Sequence, residues 1–92
     1  MIRTFGSKQT GRLWAGEYVR ALEPFRDQTE RKLAILDAAS SLAVLGGLPG
    51  NRLEVLRGDR KGQYSIRIND QWRVCFRFVD GDAFDVEIVD YH

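Results

Sequence analysis

Seven basic residues, Arg52, Arg57, Arg60, Lys61, Arg67, Arg73 and Arg77, fall in one stretch that holds three acidic ones, Glu54, Asp59 and Asp70. The chain closes on Asp90, Tyr91 and His92, its single histidine. Arginine is a planar, permanently charged fork that suits phosphate oxygens. Imidazole is the side chain best suited to moving protons near neutral pH. If the fold brings His92 near Arg57 or Arg73, these parts make an RNA-cleaving constellation. A base takes the proton from a ribose 2′-hydroxyl, and that oxygen attacks the adjacent phosphorus. Arginines stabilise the added charge on the phosphoryl oxygens, and an acid protonates the departing 5′-oxygen. The scheme needs no metal and no other cofactor. The same residues also fit a plain solvated sheet face that ends in a frayed terminus.

The elements that must position these residues are three strands within Asn51 to Phe78, joined by the turns Gly58-Asp59-Arg60-Lys61-Gly62 and Asn69-Asp70-Gln71. Turn residues between apolar-alternating runs are a hairpin signal. Side chains alternate along a strand. Trp72, Val74, Phe76 and Phe78 therefore point one way, and Arg73, Cys75 and Arg77 the other. Tyr64, Ile66 and Ile68 likewise oppose Ser65, Arg67 and Asn69. One face reads as core and the other carries the arginines. Asp80-Gly81-Asp82 is expected to turn into a last strand, Ala83 to Val89, with Phe84, Val86 and Ile88 on one face. Asp85, Glu87, Val89 and Tyr91 take the arginine side, beside the strand that carries Arg73.

Upstream, Ile2 to Phe5 reads as a short edge strand closed by Gly6-Ser7, and Ser7 can cap a helix. Leu13, Trp14, Tyr18 and Leu22 recur at helical spacing, which predicts a first helix from Lys8 to about Ala21, weakened by Gly11 and Gly16. Pro24 marks a boundary. A second helix is expected from Thr29 to about Leu42, capped by Asp27 or Thr29, with Leu33, Ile35, Leu36, Ala39 and Leu42 as its apolar stripe. Ser40-Ser41 begins to fray it, and Val44-Leu45 adds a last short turn before Gly46-Gly47-Leu48-Pro49-Gly50. The stripe covers the sheet's core face.

Ninety-two residues suit one domain, 1–92, with one core and no need of metal or disulfide staples. Hydrophobic content of 43% beside 29% charged residues fits a water-soluble globular chain. No run approaches the roughly 18 apolar residues of a membrane span. No signal-peptide stretch is seen. The lone Cys75 has no internal disulfide partner, which favours a reducing, cytoplasmic setting. The formal charge is only +1, but it is unevenly spread. Five acids, Asp80, Asp82, Asp85, Glu87 and Asp90, crowd residues 80–92 with no Lys or Arg. Such segregation suits recognition of more than one partner.

The stretch from Pro49 through Asn51-Arg52-Leu53-Glu54 and Ser65-Ile66-Arg67-Ile68-Asn69-Asp70-Gln71-Trp72-Arg73-Val74-Cys75-Phe76 resembles the signature of HigB-type toxins of the RelE superfamily. The ending Val86-Glu87-Ile88-Val89-Asp90-Tyr91-His92 is similar to that family's C-terminus. The opening Met1-Ile2-Arg3-Thr4-Phe5 and the segment Glu30 to Ala39 also resemble it. The resemblance implies an α+β, microbial-ribonuclease-like fold, with an N-terminal strand and two helices packed on an antiparallel sheet of C-terminal strands (β-α-α-β-β-β-β). It implies a ribosome-dependent endonuclease that enters the A site and cleaves translated mRNA within codons. It implies a helix-turn-helix antitoxin of the HigA type, with operator DNA bound through that antitoxin. By position, the family's catalytic and phosphate-contacting residues map to Arg57, Arg73, Asp90, Tyr91 and His92.

Two departures from the family matter. Arg57 stands where a Lys is common, and some members carry a His at the position of Glu54, so a second imidazole is missing here. Arg67 follows as a further phosphate contact by strand parity, and Arg60, Lys61 and Arg77 as the remaining basic contacts. Rival expectations are a non-enzymatic toxin on the same scaffold, of the kind that inhibits DNA gyrase, and a module that only binds RNA or an acidic antitoxin segment.

Overall fold

The computed structural model describes residues 1–91. Four strands, β1 (Glu54–Val55), β2 (Tyr64–Arg67), β3 (Trp72–Val79) and β4 (Asp82–Asp90), form one antiparallel sheet in chain order. Three helices, α1 (Lys8–Trp14), α2 (Arg26–Ala38) and α3 (Leu42–Gly46), accompany it, so the α+β class holds. Val74 and Phe76 of β3, Ile66 of β2, and Leu33 and Leu36 of α2 are fully buried together with Leu13, Leu22 and Leu45. Helices thus close one face of the sheet, and the expected alternation on β2 and β3 is what makes that face apolar.

Turn chemistry sets the long β3–β4 hairpin. Asp80 and Gly81 both take positive φ, 49° and 82°, and Val79 pairs with Asp82. Two left-handed residues between paired strands match the twist of the strands they join. In the β2–β3 turn, Asn69 Oδ1 accepts the backbone N–H groups of Gln71 and Trp72. That local bond is why asparagine closes this turn.

Several expected boundaries move. Residues 2–5 make no continuous strand. They touch β4 through two isolated parallel bridges, Ile2 with Ala83 and Phe5 with Val86. The cause is a bulge in β4, where Asp85 has φ 53° and gives its N–H to Thr4 Oγ1. The β3 ladder also skips register between Cys75 and Arg77. The extra residue shifts side-chain parity, so Ala83 and Val86 both face the core. Phe84, expected inward with Val86, instead pairs with Arg77.

Helix α1 stops at Trp14, well before Ala21. Gly16, at φ 89°, turns the chain, and Glu17 N–H closes on the Arg12 carbonyl. Trp14 and Tyr18 are exposed, and a 3₁₀ turn, Arg20–Phe25, carries Pro24. Helix α2 begins at Arg26, before either expected cap. Thr29 spends its hydroxyl on the Phe25 carbonyl and is buried there. The helix ends at Ala38, and Ser41 caps a separate α3 by accepting Val44 N–H. Strand β1 shrinks to two residues because Asn51 ends a 3₁₀ turn and Arg52 is left-handed, φ 44°.

The N-terminus is clasped to the hairpin. The Met1 ammonium and Arg3 both reach Asp82 Oδ1, at 3.4 and 3.2 Å. Burial alone would raise the Asp82 carboxyl. The Arg3 hydrogen bond and charge, with those of the ammonium, outweigh it and hold the carboxyl below its ordinary value. A depressed folded pKa gives stability that is complete above the unfolded pKa, about 3.9, and is lost as pH falls through the folded value. Asp82→Asn is therefore expected to lower the Tm near neutral pH, with the gap to wild type closing as pH falls below the unfolded value. Melting curves across that range check it. A gap independent of pH would refute the linkage.

Candidate functional site

The outer sheet face is not uniformly wet. Ser65 and Cys75, directly paired across β2 and β3, are fully buried, and Arg73 is 8% exposed. Arg73 Nε donates to Ser65 Oγ at 2.7 Å. Its Nη2 donates to the carbonyls of Arg52 and Ser65. Its Nη1 stands 3.9 Å from Glu54 Oε1, and the guanidinium carbon lies 5.8 Å from the centre of the Tyr91 ring. Neutral oxygens hold this cation at hydrogen-bond distance, while the nearest carboxylate stands further off. Its charge is thereby fixed in place without being bonded away.

A cleft of about 200 Å³ opens over this group, lined by Arg52, Glu54, Arg67, Asn69, Asp70, Arg73 and Tyr91. Strand geometry explains the gathering. Glu54 pairs with Ser65, Arg67 with Arg73, and Tyr91 N–H returns to the Gln71 carbonyl just beyond the β3–β4 ladder. The cleft can seat a phosphate against a fixed guanidinium, beside a half-exposed carboxylate and an aromatic face. Among the described residues no group of three or more His, Cys, Asp and Glu side chains could hold a metal ion. No helix among them is long and apolar enough to cross a membrane.

The expected site residues divide accordingly. Arg73, Arg67 and Tyr91 line the cleft. Asp90 sits beside it at the end of β4, where its Oδ2 accepts Gln71 Nε2. Arg57 and Lys61 are exposed outside it. Arg60 is drawn to Glu87 and Gln63, and Arg77 to Asp85. Arg77 lies four residues along β3 from Arg73, about 13 Å at strand rise. His92 lies outside the described residues.

The acids of β4 thus fold back onto cations: Glu87 onto Arg60, Asp85 onto Arg77, Asp82 onto Arg3. Charge segregated along the sequence is largely cancelled in space. Arg67 too is paired, with Asp70. Burial pushes the Cys75 thiol up, and the nearby charges of Arg60, Glu87 and Arg73 oppose one another, so this cysteine is no nucleophile.

Sequence reasoning missed Arg52 as a cleft residue and read Asp70 as a turn former, while parity set Asn69 on the arginine side. Strand parity could not place Arg52, because its left-handed backbone breaks the alternation. The signal available for Glu54 was its position in the motif.

A family model described as a RelE-like toxin of the type II toxin–antitoxin system HigB matches residues 8–92. The chain belongs to this HigB-like toxin family. Toxin HigB-1 of Vibrio cholerae serotype O1 is 53% identical over 55 residues, 60% of this chain and 58% of that protein. The chain thus spans less than two thirds of that relative's length. Endoribonuclease HigB of Proteus vulgaris is 35% identical over 66 residues, covering 72% of this chain and 71% of that protein. Among solved structures, the YoeB–YefM complex from Staphylococcus aureus matches with a TM-score of 0.59 at 18% identity, over 100% of this chain and 98% of that one. At that identity the likeness is one of fold: this HigB-like chain shares its helix-on-sheet architecture with a chain of that complex.

The hold on Arg73 is testable without any substrate. Ser65→Ala removes the acceptor of Nε inside a closed face. It is expected to destabilise the fold by about 2 kcal/mol, as loss of a buried bond to a charged group does. Urea denaturation measures this. A change within about 0.5 kcal/mol, as at surface sites, would show that the bond contributes nothing net.

Proposed function

We propose that this HigB-like chain is an endoribonuclease toxin that cleaves translated mRNA in the ribosomal A site. The observation that carries the reading is the Arg73 guanidinium, immobilised by neutral acceptors at the floor of an open cleft beside Glu54 and Tyr91. A donor fixed before the reaction stabilises developing charge without reorganising when that charge appears. The name of the Proteus vulgaris relative, an endoribonuclease, supports the same reading.

In this scheme the scissile phosphate lies on Arg73, with Arg52 and Arg67 on flanking oxygens. Glu54 takes the place of the missing second imidazole. Its carboxylate removes the 2′-hydroxyl proton, and the 2′-oxygen bonds to phosphorus as the bond to the 5′-oxygen breaks. His92 gives the departing 5′-oxygen its proton, a role assigned from its place next to Tyr91 in the sequence. The products are a 2′,3′-cyclic phosphate and a 5′-hydroxyl. Tyr91 stacks on a base or orients the phosphate, and Asp90 holds its neighbours in place. Arg57 and Lys61, exposed outside the cleft, are placed to meet more distant backbone. Arg60 and Arg77 contribute mainly through the ion pairs that hold the outer face. A HigA-type helix-turn-helix antitoxin is the proposed partner, and operator DNA is reached through it.

The test maps mRNA 5′ ends in growing cells after brief induction. Wild type is expected to create new ends inside translated codons. Arg73→Ala and Glu54→Gln should each lower cleavage about 100-fold or more, and His92→Ala should abolish the new ends while ribosome binding persists. Growth arrest with no new ends would overturn the reading in favour of a blocking toxin.

A further inference from the structure

Among the described residues, Asn51 is one of four polar residues that are completely buried. Its Nδ2 donates to the Leu45 carbonyl at 3.0 Å, and its Oδ1 accepts from Lys32 Nζ at 2.7 Å. Its backbone N–H closes on the Leu48 carbonyl. Both ends of the side-chain amide are therefore bound, and the amide can take only one orientation.

The next residue is Arg52, at φ 44° and ψ 57°. A non-glycine residue holds that left-handed conformation only where its surroundings impose it. Here the turn aims the Arg52 carbonyl at Arg73 Nη2 and sets the Arg52 side chain on the cleft wall. A continuous series of bonds thus runs from α2, through Lys32, Asn51 and the Arg52 turn, to the guanidinium in the cleft.

We propose that Lys32 and Asn51 are positioning residues, which fix the Arg52 turn and through it the placement of Arg73. Burial, and then the charges of Arg67 and Arg31, lower the Lys32 pKa, so the site does not favour the charged form. What it supplies is a donor to Asn51. A neutral donor at the same place serves as well, whereas a direct phosphate contact would need the charge. This inference rests on the proposed role of Arg73 in cleavage, but part of its test does not.

The experiment compares Lys32→Gln, which keeps a donor, with Lys32→Met, which keeps only the stem. Two readouts are taken on folded protein. One is the Arg73 Nε–H resonance, assigned with Arg73→Lys. The other is single-turnover cleavage on mRNA-programmed ribosomes, giving a maximal rate and a half-saturating concentration. Lys32→Gln should leave both within about threefold of wild type. Lys32→Met should shift or broaden the Nε–H resonance and lower the maximal rate about 10- to 100-fold, as small misplacements of a fixed group do. Its half-saturating concentration should stay unchanged.

Asn51→Asp keeps the acceptor for Lys32 and loses the bond to Leu45. It should show the same pattern as Lys32→Met, and carries the test if that variant fails to fold. An unaltered resonance and rate in Lys32→Met would overturn the proposal. So would equal losses in both Lys32 variants with a raised half-saturating concentration and a shallower salt dependence, the mark of a direct phosphate contact. If wild type cleaves no mRNA, the nuclease reading falls, while the resonance still decides the positioning.

Discussion

The structure depends on keeping one guanidinium buried and charged with no carboxylate hydrogen-bonded to it. Removing a cation from water is costly unless its donors are satisfied. The usual remedy is a hydrogen-bonded carboxylate, and this chain uses it elsewhere: Arg60 with Glu87, Arg67 with Asp70, Arg77 with Asp85. Arg73 is treated differently. A serine hydroxyl and two backbone carbonyls take its Nε and Nη2, and Glu54 stands off at 3.9 Å. A carboxylate bound face to face would stabilise the group at the expense of its pull on any incoming anion. Neutral acceptors give the geometry and leave the charge.

That arrangement constrains the sheet around it. Ser65 reaches Arg73 diagonally, two pairs along from the directly opposed Arg67, so the β2–β3 register cannot slip. Tyr91 must lie on the same outer face, yet Ala83 at the other end of β4 must be inward. Strict alternation would put residues 83 and 91 on one side. The bulge at Asp85 removes the conflict by adding one residue, so Ala83 and Val86 both enter the core while Glu87, Val89 and Tyr91 keep Arg73's side. The N-terminal segment then meets β4 in two separate bridges, because the bulge interrupts the edge it pairs with.

This division explains what could be read from sequence. The turns at Asn69 and at Asp80-Gly81 were legible because their chemistry is local, and β3 because its alternation is unbroken. The helix boundaries were not. Thr29 and Asp27 are good caps in isolation, but α2 starts at Arg26, and Thr29 is buried inside it with its hydroxyl on the Phe25 carbonyl one turn back. Trp14 and Tyr18 matched a helical period that Gly16 ends before it can continue. In the site, Arg73 and Tyr91 followed from parity. Arg52 could not, since a left-handed non-glycine residue leaves no mark in a periodic pattern. The pairing of Arg60 and Arg77 was hidden as well. It depends on which acids β4 lays beside them, and the bulge alters that match.

The distribution of charge bears on how the proposed nuclease meets its substrate. Non-specific affinity for nucleic acid scales with the number of cations free to replace counterions. Here several basic side chains of the central stretch are tied to acids, and the cleft offers a small number of oriented donors. Such a surface is expected to rely less on non-specific attraction than on the placement of the phosphate. Its rate would then depend on something else holding the phosphate at Arg73 in the right pose, and effective concentration from a docked assembly is worth far more than a few surface charges. The ribosomal delivery proposed above would meet that requirement. The small number of free charges around a fixed arginine therefore fits the proposal that the substrate is delivered rather than captured.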